Sequence, residues 1–187
     1  TYTIEELKED SFKGIDLALL SAGGSISKKF GPIAAAAGTM VVDNSSAFRM
    51  TPEIPLVVPE VNPEAIKGWK LGKGGIIANP NCSTIIMLVP VTPIRKAVGV
   101  KRVVVSTYQA ASGAGAAAME ELKEQTREVL AGKAPTCKIF KQQYAFNLFS
   151  HNASIQDNGY NEEENKMTRE SHKIWSDDKV RISAMCV

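Results

Sequence analysis

The sequence predicts an α/β protein with a mostly parallel sheet. Short apolar runs of strand length alternate along the chain with longer segments that have helical periodicity. Glycine or asparagine stands at most junctions between the two kinds of segment, where turns and helix ends are expected. Strands that are separated by helices need crossover connections, and these favour parallel pairing.

The first strand, helix and second strand are predicted within residues 15–43. The apolar run 15–20 ends in a turn that consists of Ser21, Ala22, Gly23, Gly24 and Ser25. Ser25 or Ser27 is the expected cap of a helix that reaches Ala37 and stops at Gly38. Residues 39–43 then supply the second strand.

The second unit of this kind begins with a strand at 76–78. Asn81 is expected to cap an apolar helix that starts at about Cys82. We expect Pro90 and Pro93 to kink or end this helix, because proline removes a backbone hydrogen bond.

A third strand and helix are predicted from 103–107 and from about 115–131, with Gly132 as the stop signal. The buried face of this helix is expected to comprise Met119, Leu122, Thr126, Val129 and Leu130. Its solvated face would comprise Glu120, Glu121, Lys123, Glu124 and Arg127.

Residues 133–165 show little periodicity, which indicates a long functional loop or a segment that covers a lobe. A further helix is predicted at about 163–176. A closing strand follows, because Val180, Ile182, Ala184 and Cys186 alternate with polar residues.

Composition limits the possible functions. The chain has 187 residues, 44% of them hydrophobic, and a formal charge of +2, so an electrostatically driven nucleic-acid partner is not indicated. Its three cysteines lack metal-site spacing, so no metal is predicted, and an odd number argues against a disulfide framework. No apolar run is long enough to predict a membrane span.

Cys82 is the candidate nucleophile. The run Asn79-Pro80-Asn81-Cys82-Ser83-Thr84 puts a thiol at a helix start, where unpaired N–H groups and the helix dipole favour a thiolate. The same N–H groups and Asn81 would hold an oxyanion after attack on a carbonyl. The alternative is that Cys82 is a small hydrophobic residue, as most buried cysteines are.

Three motifs make the chain resemble the aspartate-semialdehyde dehydrogenase family over essentially its whole length. They are residues 79–84, residues 106–115, and the pair of segments 43–49 and 55–62. The resemblance implies part of a Rossmann-like NADP-binding domain over 1–81. An incomplete α+β substrate and dimerisation domain is implied over 82–187.

The resemblance also implies a reaction. Cys82 would attack L-4-aspartyl phosphate, phosphate would leave, and NADPH would reduce the thioester to the semialdehyde of the lysine, threonine and methionine pathway. Gln109 would orient the substrate, and Arg49 would grip the acyl phosphate. Glu164 would bind the substrate amino group and Lys166 the phosphate.

The implied NADP(H) site comprises the turn Ser21, Ala22, Gly23 and Gly24, with Ser112 and Gly113 near the nicotinamide. His151 and His172 match no functional position and are interpreted as surface or packing residues. Cys137 and Cys186 are interpreted as structural, and Cys186 is expected to face a core from its strand. The family's glycine-rich turn, catalytic histidine and second arginine have no counterpart here. The chain lacks an initiator Met and stops within a predicted strand, so we expect a portion of a longer protein.

The resemblance implies a homodimer or homotetramer, without nucleic acid or membrane. Residues 142–152 are most similar to plant or algal members, which implies a plastid stroma, with a bacterial cytoplasm as the alternative. Two other functions remain open. One is a related acyl-phosphate reductase, and the other is an inactive chain that acts only through association.

Overall fold

The computed structural model describes residues 3–187, so Thr1 and Tyr2 of the predicted 1–81 domain lie outside the described part. The chain forms two compact units. The first unit comprises the described residues up to Lys101 together with Arg169–Arg181. The second unit comprises Arg102–Thr168 and Ile182–Val187. The predicted boundary between residues 81 and 82 stays a prediction.

The first unit contains a parallel sheet, and the predicted α/β class is confirmed. Strands β1 (Leu17–Leu20), β2 (Met40–Asp43) and β3 (Gly75–Ala78) lie side by side in that order. Helix α1 (Gly24–Ala36) connects β1 to β2. The core of this unit comprises Phe12, Leu20, Phe30, Ala34, Val41 and Ile76.

The predicted serine cap of α1 is wrong. Gly23 is the cap residue, with a φ of 93°, a backbone conformation that favours glycine. Ser27 lies inside the helix and is buried, and its hydroxyl donates to Asp43 Oδ1 over 2.6 Å. The Ser27 hydroxyl therefore connects α1 to the end of β2 and does not cap the helix.

Helix α2 (Cys82–Val98) continues past Pro90 and Pro93, so the predicted end is wrong, and the alternative kink stays a prediction. Contacts within the first unit hold its second half. Trp175 Nε1 donates to Thr92 Oγ1 over 2.9 Å, and Arg95 pairs with Asp177 at 2.7 Å. These contacts stabilise the helix beyond the point at which proline removes backbone bonds.

The second unit contains strands β4 (Arg102–Thr107) and β5 (Arg181–Cys186), of which Arg181 is grouped with the first unit. Arg181 N bonds Lys101 O, and Val187 N bonds Thr107 O, so the two strands run in the same direction. Helix α3 spans Ala116–Leu130. Helix α4 (Glu162–Trp175) starts in the second unit and ends in the first.

The predicted faces of α3 need correction. Glu121 and Gln125 are buried, whereas Met119 and Leu130, which were predicted on the buried face, are 39% and 75% exposed. The reason is that the irregular segment 136–145 covers this face and presents backbone groups, which polar side chains satisfy better than apolar ones. Residues 133–160, all within the described part, form no helix or ladder apart from a bridge between Ile155 and Asn161.

Among residues 3–187, no helix combines the length and apolarity that crossing a membrane would require.

Candidate active site

Cys82 is exposed at the first position of α2, directly after the end of β3 and its turn. The predicted cap is confirmed, since Asn81 Oδ1 accepts from Ser83 N at 2.9 Å and from Thr84 N at 3.3 Å. Asn81 itself is buried. The fold therefore presents the thiol to solvent at the positive end of a helix whose first turn is fixed.

Replacement of Asn81 by alanine is expected to lower the free energy of unfolding of the first unit by about 1 kcal/mol, because the cap bonds are lost. Asn81→Asp keeps the acceptor oxygen and is the matched control. Urea titration followed by tryptophan fluorescence measures the effect, since Trp69 and Trp175 both lie in the first unit. Equal midpoints for Asn81→Ala and Asn81→Asp would contradict it.

Arg49 lies beside the turn that precedes Cys82 and is 8% exposed. Its Nε donates to Asn79 O at 2.9 Å, and its Nη2 donates to Asn44 O at 3.1 Å. Its Nη1 pairs with Glu170 Oε1 at 3.1 Å. A guanidinium carries five N–H donors, and these three bonds fix its orientation.

Helix α4 supplies two residues that the sequence analysis missed. Glu170 Oε2 accepts from Asn81 N at 2.6 Å. Lys173 Nζ donates to the carbonyl oxygens of Arg49, Thr51 and Ile54 at 2.8, 2.6 and 2.8 Å. Burial lowers the pKa of Lys173, which the charge of Glu53 partly offsets. Glu170 stands three residues after Met167 and four before Ile174, a spacing that could have placed it on the buried face.

The turn after β1 leads directly into the N-terminus of α1. A side chain at Gly23 or Gly24 would meet no atom within 4 Å, so the N-terminus of α1 is open at this point. Asn44 Nδ2 donates to Ser21 Oγ at 3.3 Å and braces the turn. Backbone N–H groups at a helix start suit a phosphate, so Ser21, Ala22, Gly23 and Gly24 fit the predicted cofactor.

Gln109 follows β4 in the second unit and is held by its backbone. Its N–H donates to Val187 O at 2.7 Å, and its carbonyl accepts from Tyr144 Oη at 2.7 Å. The side-chain Nε2 lies 3.4 Å from Thr107 Oγ1. Ser112 and Gly113 are exposed in the 3-10 turn Ala111–Ala114, which leads into α3.

Tyr144→Phe is expected to destabilise the second unit by about 1 kcal/mol, because it removes one hydrogen bond and keeps the ring. The ring packs on Phe140 and Phe149 with centroids 4.6 and 5.5 Å away. Amide hydrogen exchange of the segment around Gln109 measures the change. Tyr108→Phe, at an 81% exposed position, is the control, and equal exchange in the two variants would contradict the expectation.

Glu164, the acidic residue of the predicted substrate-binding pair, and its neighbour Glu163 have different contacts. Glu164 is buried, and its carboxylate accepts from Asn161 N at 2.8 Å and from Cys186 N at 3.0 Å. Glu163 Oε2 instead lies 3.4 Å from Lys166 Nζ, which is half-buried. Lys166 Nζ also lies 3.7 Å from Glu162 Oε1, so the two acidic neighbours that the structure gives Lys166 are Glu162 and Glu163. The predicted role of Glu164 stays a prediction.

The first unit brings together Arg49, Asn81, Cys82 and, at the end of β1, the turn 21–24. The second unit contains the other predicted site residues, Gln109, Ser112, Gly113, Glu164 and Lys166. Cys186 is buried, as predicted, and its Sγ lies 3.7 Å from Met167 Sδ. Cys137 is exposed, so its predicted structural role finds no support in burial.

Comparison with known proteins gives two family matches. Residues 1–69 match the NAD binding domain of semialdehyde dehydrogenase, and residues 91–187 match its dimerisation domain. A relative from Aquifex aeolicus named aspartate-semialdehyde dehydrogenase is 56% identical and is matched over 100% of this chain and 55% of its own length. A relative with the same name from Synechocystis is 53% identical, and the match covers 98% of this chain and 53% of that relative.

A solved structure agrees with these relatives. The crystal structure of aspartate semialdehyde dehydrogenase II from Vibrio cholerae, complexed with ASA, superimposes with a TM-score of 0.91 at 47% identity. The match covers 97% of this chain and 54% of that one. The chain spans about half the length of the curated relatives it matches. These matches confirm the predicted resemblance, and the chain belongs to the semialdehyde dehydrogenase family.

Proposed function

We propose that this chain supplies the nucleophile, the anion site and part of the cofactor site of an aspartate-semialdehyde dehydrogenase. The proposed reaction is the NADPH-dependent reductive dephosphorylation of L-4-aspartyl phosphate to L-aspartate 4-semialdehyde. The observation that carries it is the exposed Cys82 at the capped start of α2, with Arg49 bonded to the turn before it. Relatives with this enzyme name are 56% and 53% identical to the chain.

The first step forms a thioester. The Cys82 thiolate attacks the acyl carbon, the bond between that carbon and the phosphate oxygen breaks, and inorganic phosphate leaves with the electron pair. Arg49 would stabilise the negative charge of the phosphate, since its planar fork matches phosphate oxygens. The N–H groups at the start of α2 would hold the carbonyl oxygen as its charge develops.

The second unit would provide substrate contacts. We infer that Gln109 orients the acyl group and that Lys166, with its neighbour Glu163 or with Glu164, binds charged groups of aspartyl phosphate. The Glu163 and Lys166 contact favours Glu163 as the acidic partner. When bound, NADP(H) supplies the hydride that reduces the thioester, and the turn at Ser21–Gly24 would hold its phosphates. The preference for NADP over NAD is part of this proposal.

Mass spectrometry of the chain after incubation with L-4-aspartyl phosphate tests the first step. We expect an aspartyl adduct on the peptide that contains Cys82, together with one equivalent of released phosphate. This half-reaction needs no cofactor. Hydrolysis of the substrate without an adduct on Cys82 would overturn the proposed function. N-acetylglutamyl phosphate in competition distinguishes a related acyl-phosphate reductase, which would form the larger adduct.

A second candidate function is association alone. The match of residues 91–187 to the dimerisation domain favours a role in forming a homodimer or homotetramer. Light scattering would detect such an assembly. A monomer without adduct formation would remove both candidates. The predicted plastid location, like its bacterial alternative, stays a prediction.

A further inference from the structure

We propose that Glu170 is a positioning residue, which fixes the start of α2 against Arg49 and thereby sets where the Cys82 thiol lies relative to the anion site. This inference rests on the proposed function for its meaning, because it assigns Cys82 and Arg49 to one reaction. Its geometry stands on contacts within the first unit alone.

Glu170 is nearly inaccessible, with 2% of its surface exposed. One carboxylate oxygen lies 3.1 Å from Arg49 Nη1, and the other accepts from Asn81 N at 2.6 Å. A buried carboxylate is costly unless it is both paired and hydrogen-bonded, and Glu170 meets both requirements here. The two bonds go to different partners, so the carboxylate bridges them.

The bonds of Glu170 and Arg49 together close a hydrogen-bonded ring around residues 79–81, the turn that leads to Cys82. Arg49 Nε donates to Asn79 O at 2.9 Å, which holds the beginning of the turn. Glu170 holds its end at Asn81 N, and Pro80 between them is fully buried. Both ends of the turn are therefore attached to one ion pair. Asn81 in turn caps α2 through its side chain, so the ring and the cap share a residue.

The ring requires both the length and the charge state of glutamate. Aspartate is one methylene shorter, so its carboxylate would not reach both partners with good geometry. Glutamine has the length, but its NH₂ group would face either the Arg49 guanidinium or the Asn81 N–H, and both are donors. Glu170→Asp therefore keeps the negative charge but shortens the side chain, whereas Glu170→Gln keeps the length but removes the charge.

Competitive alkylation tests the proposal on the chain as it exists. Limiting iodoacetamide is added near neutral pH, and peptide mapping compares the labelling rate of Cys82 with that of the exposed Cys137 in the same sample. In the unmodified chain we expect Cys82 to react about tenfold faster than Cys137. Glu170→Asp is expected to remove most of this preference, since the helix start is no longer held while the local charge is kept. Glu170→Gln is expected to do the same.

Two controls guard against simple unfolding. Glu64→Asp makes the same chemical change at an exposed position of the first unit and should leave the ratio unchanged. Labelling of the buried Cys186 and tryptophan fluorescence both report loss of the fold. Retention of the full preference for Cys82 in Glu170→Asp and Glu170→Gln would overturn the proposal.

Hydrogen exchange keeps the test decisive if the unmodified chain shows no preference for Cys82. That result would count against the proposed function but not against the positioning role. The amides of residues 81–85 are then compared in folded Glu170→Asp and in the unmodified chain. At least tenfold faster exchange in the variant supports the positioning role, and equal exchange overturns it.

Discussion

Replacement of Cys82 by serine is expected to reduce phosphate release from L-4-aspartyl phosphate by at least about 10³-fold, because removal of an activated nucleophile costs most of the rate. A neutral hydroxyl is a far weaker nucleophile near neutral pH than a cysteine sulfur. Serine is close in size, and the cap of α2 uses the Asn81 side chain rather than that of residue 82. The loss should therefore come from chemistry and not from the fold.

Single-turnover phosphate release with excess protein measures this effect. Cys137→Ser is the matched control, since it removes an exposed thiol from the second unit and should leave the rate unchanged. Adduct formation on the Cys82 peptide must disappear in parallel. A Cys82→Ser chain that still released phosphate within tenfold of the unmodified rate would assign the nucleophile elsewhere.

The sequence predicted the elements whose signals are local. Strands β1 to β3 and helices α1 and α2 form close to their predicted positions, because apolar runs and glycine turns are short-range features. Asn81 was identifiable as a cap because that role depends on backbone groups two and three residues away. The position of Cys82 at a capped helix start could therefore be predicted from the motif at residues 79–84.

Features that depend on distant partners were not predictable in the same way. The cap of α1 was assigned to serine, but the turn needs a positive φ and Ser27 bonds to Asp43, sixteen residues away. Glu170 lies in a charged stretch of α4, and its partner Arg49 is 121 residues earlier in the chain. Charge runs are usually solvated faces. The spacing from Met167 and Ile174 indicates that Glu170 is buried, but only tertiary structure identifies Arg49 as its partner.

Glu121 shows the same effect in the second unit. It was predicted on the solvated face of α3, but its carboxylate accepts from three consecutive backbone N–H groups. The donors are Lys138, Ile139 and Phe140, at 2.8, 2.7 and 2.9 Å. Gln125 adds bonds to Thr136 O and Tyr144 N at 2.9 and 2.7 Å. Glu121 and Gln125 therefore hold segment 136–145, which contains Tyr144. The hydroxyl of Tyr144 donates to Gln109 O.

Glu121→Gln is expected to lower the free energy of unfolding of the second unit by about 3 kcal/mol. The amide has one acceptor oxygen, and its NH₂ group would face a backbone donor, so buried N–H groups lose their partner. Segment 136–145 should then exchange its amides much faster. Urea unfolding followed by far-ultraviolet circular dichroism measures the stability, and hydrogen exchange locates the change.

The pH dependence gives an independent check on the same carboxylate. Burial raises the pKa of Glu121, but the three backbone bonds outweigh it, so the pKa lies below its ordinary value of 4.5. The stabilisation is therefore fully present above pH 4.5 and is lost as the pH falls through the lowered pKa. Glutamine does not titrate, so the stability difference between the two chains should shrink in that range.

The control for this prediction lies on the same helix. Glu124 pairs with Arg127 at 2.8 Å on the exposed side, and Glu124→Gln should change stability by no more than about 0.5 kcal/mol. A loss of similar size for Glu121→Gln and Glu124→Gln would show that Glu121 does not hold the segment. A difference between Glu121→Gln and the unmodified chain that persisted undiminished at low pH would assign the loss to packing. In that case the three N–H bonds would contribute little to the stability of the second unit.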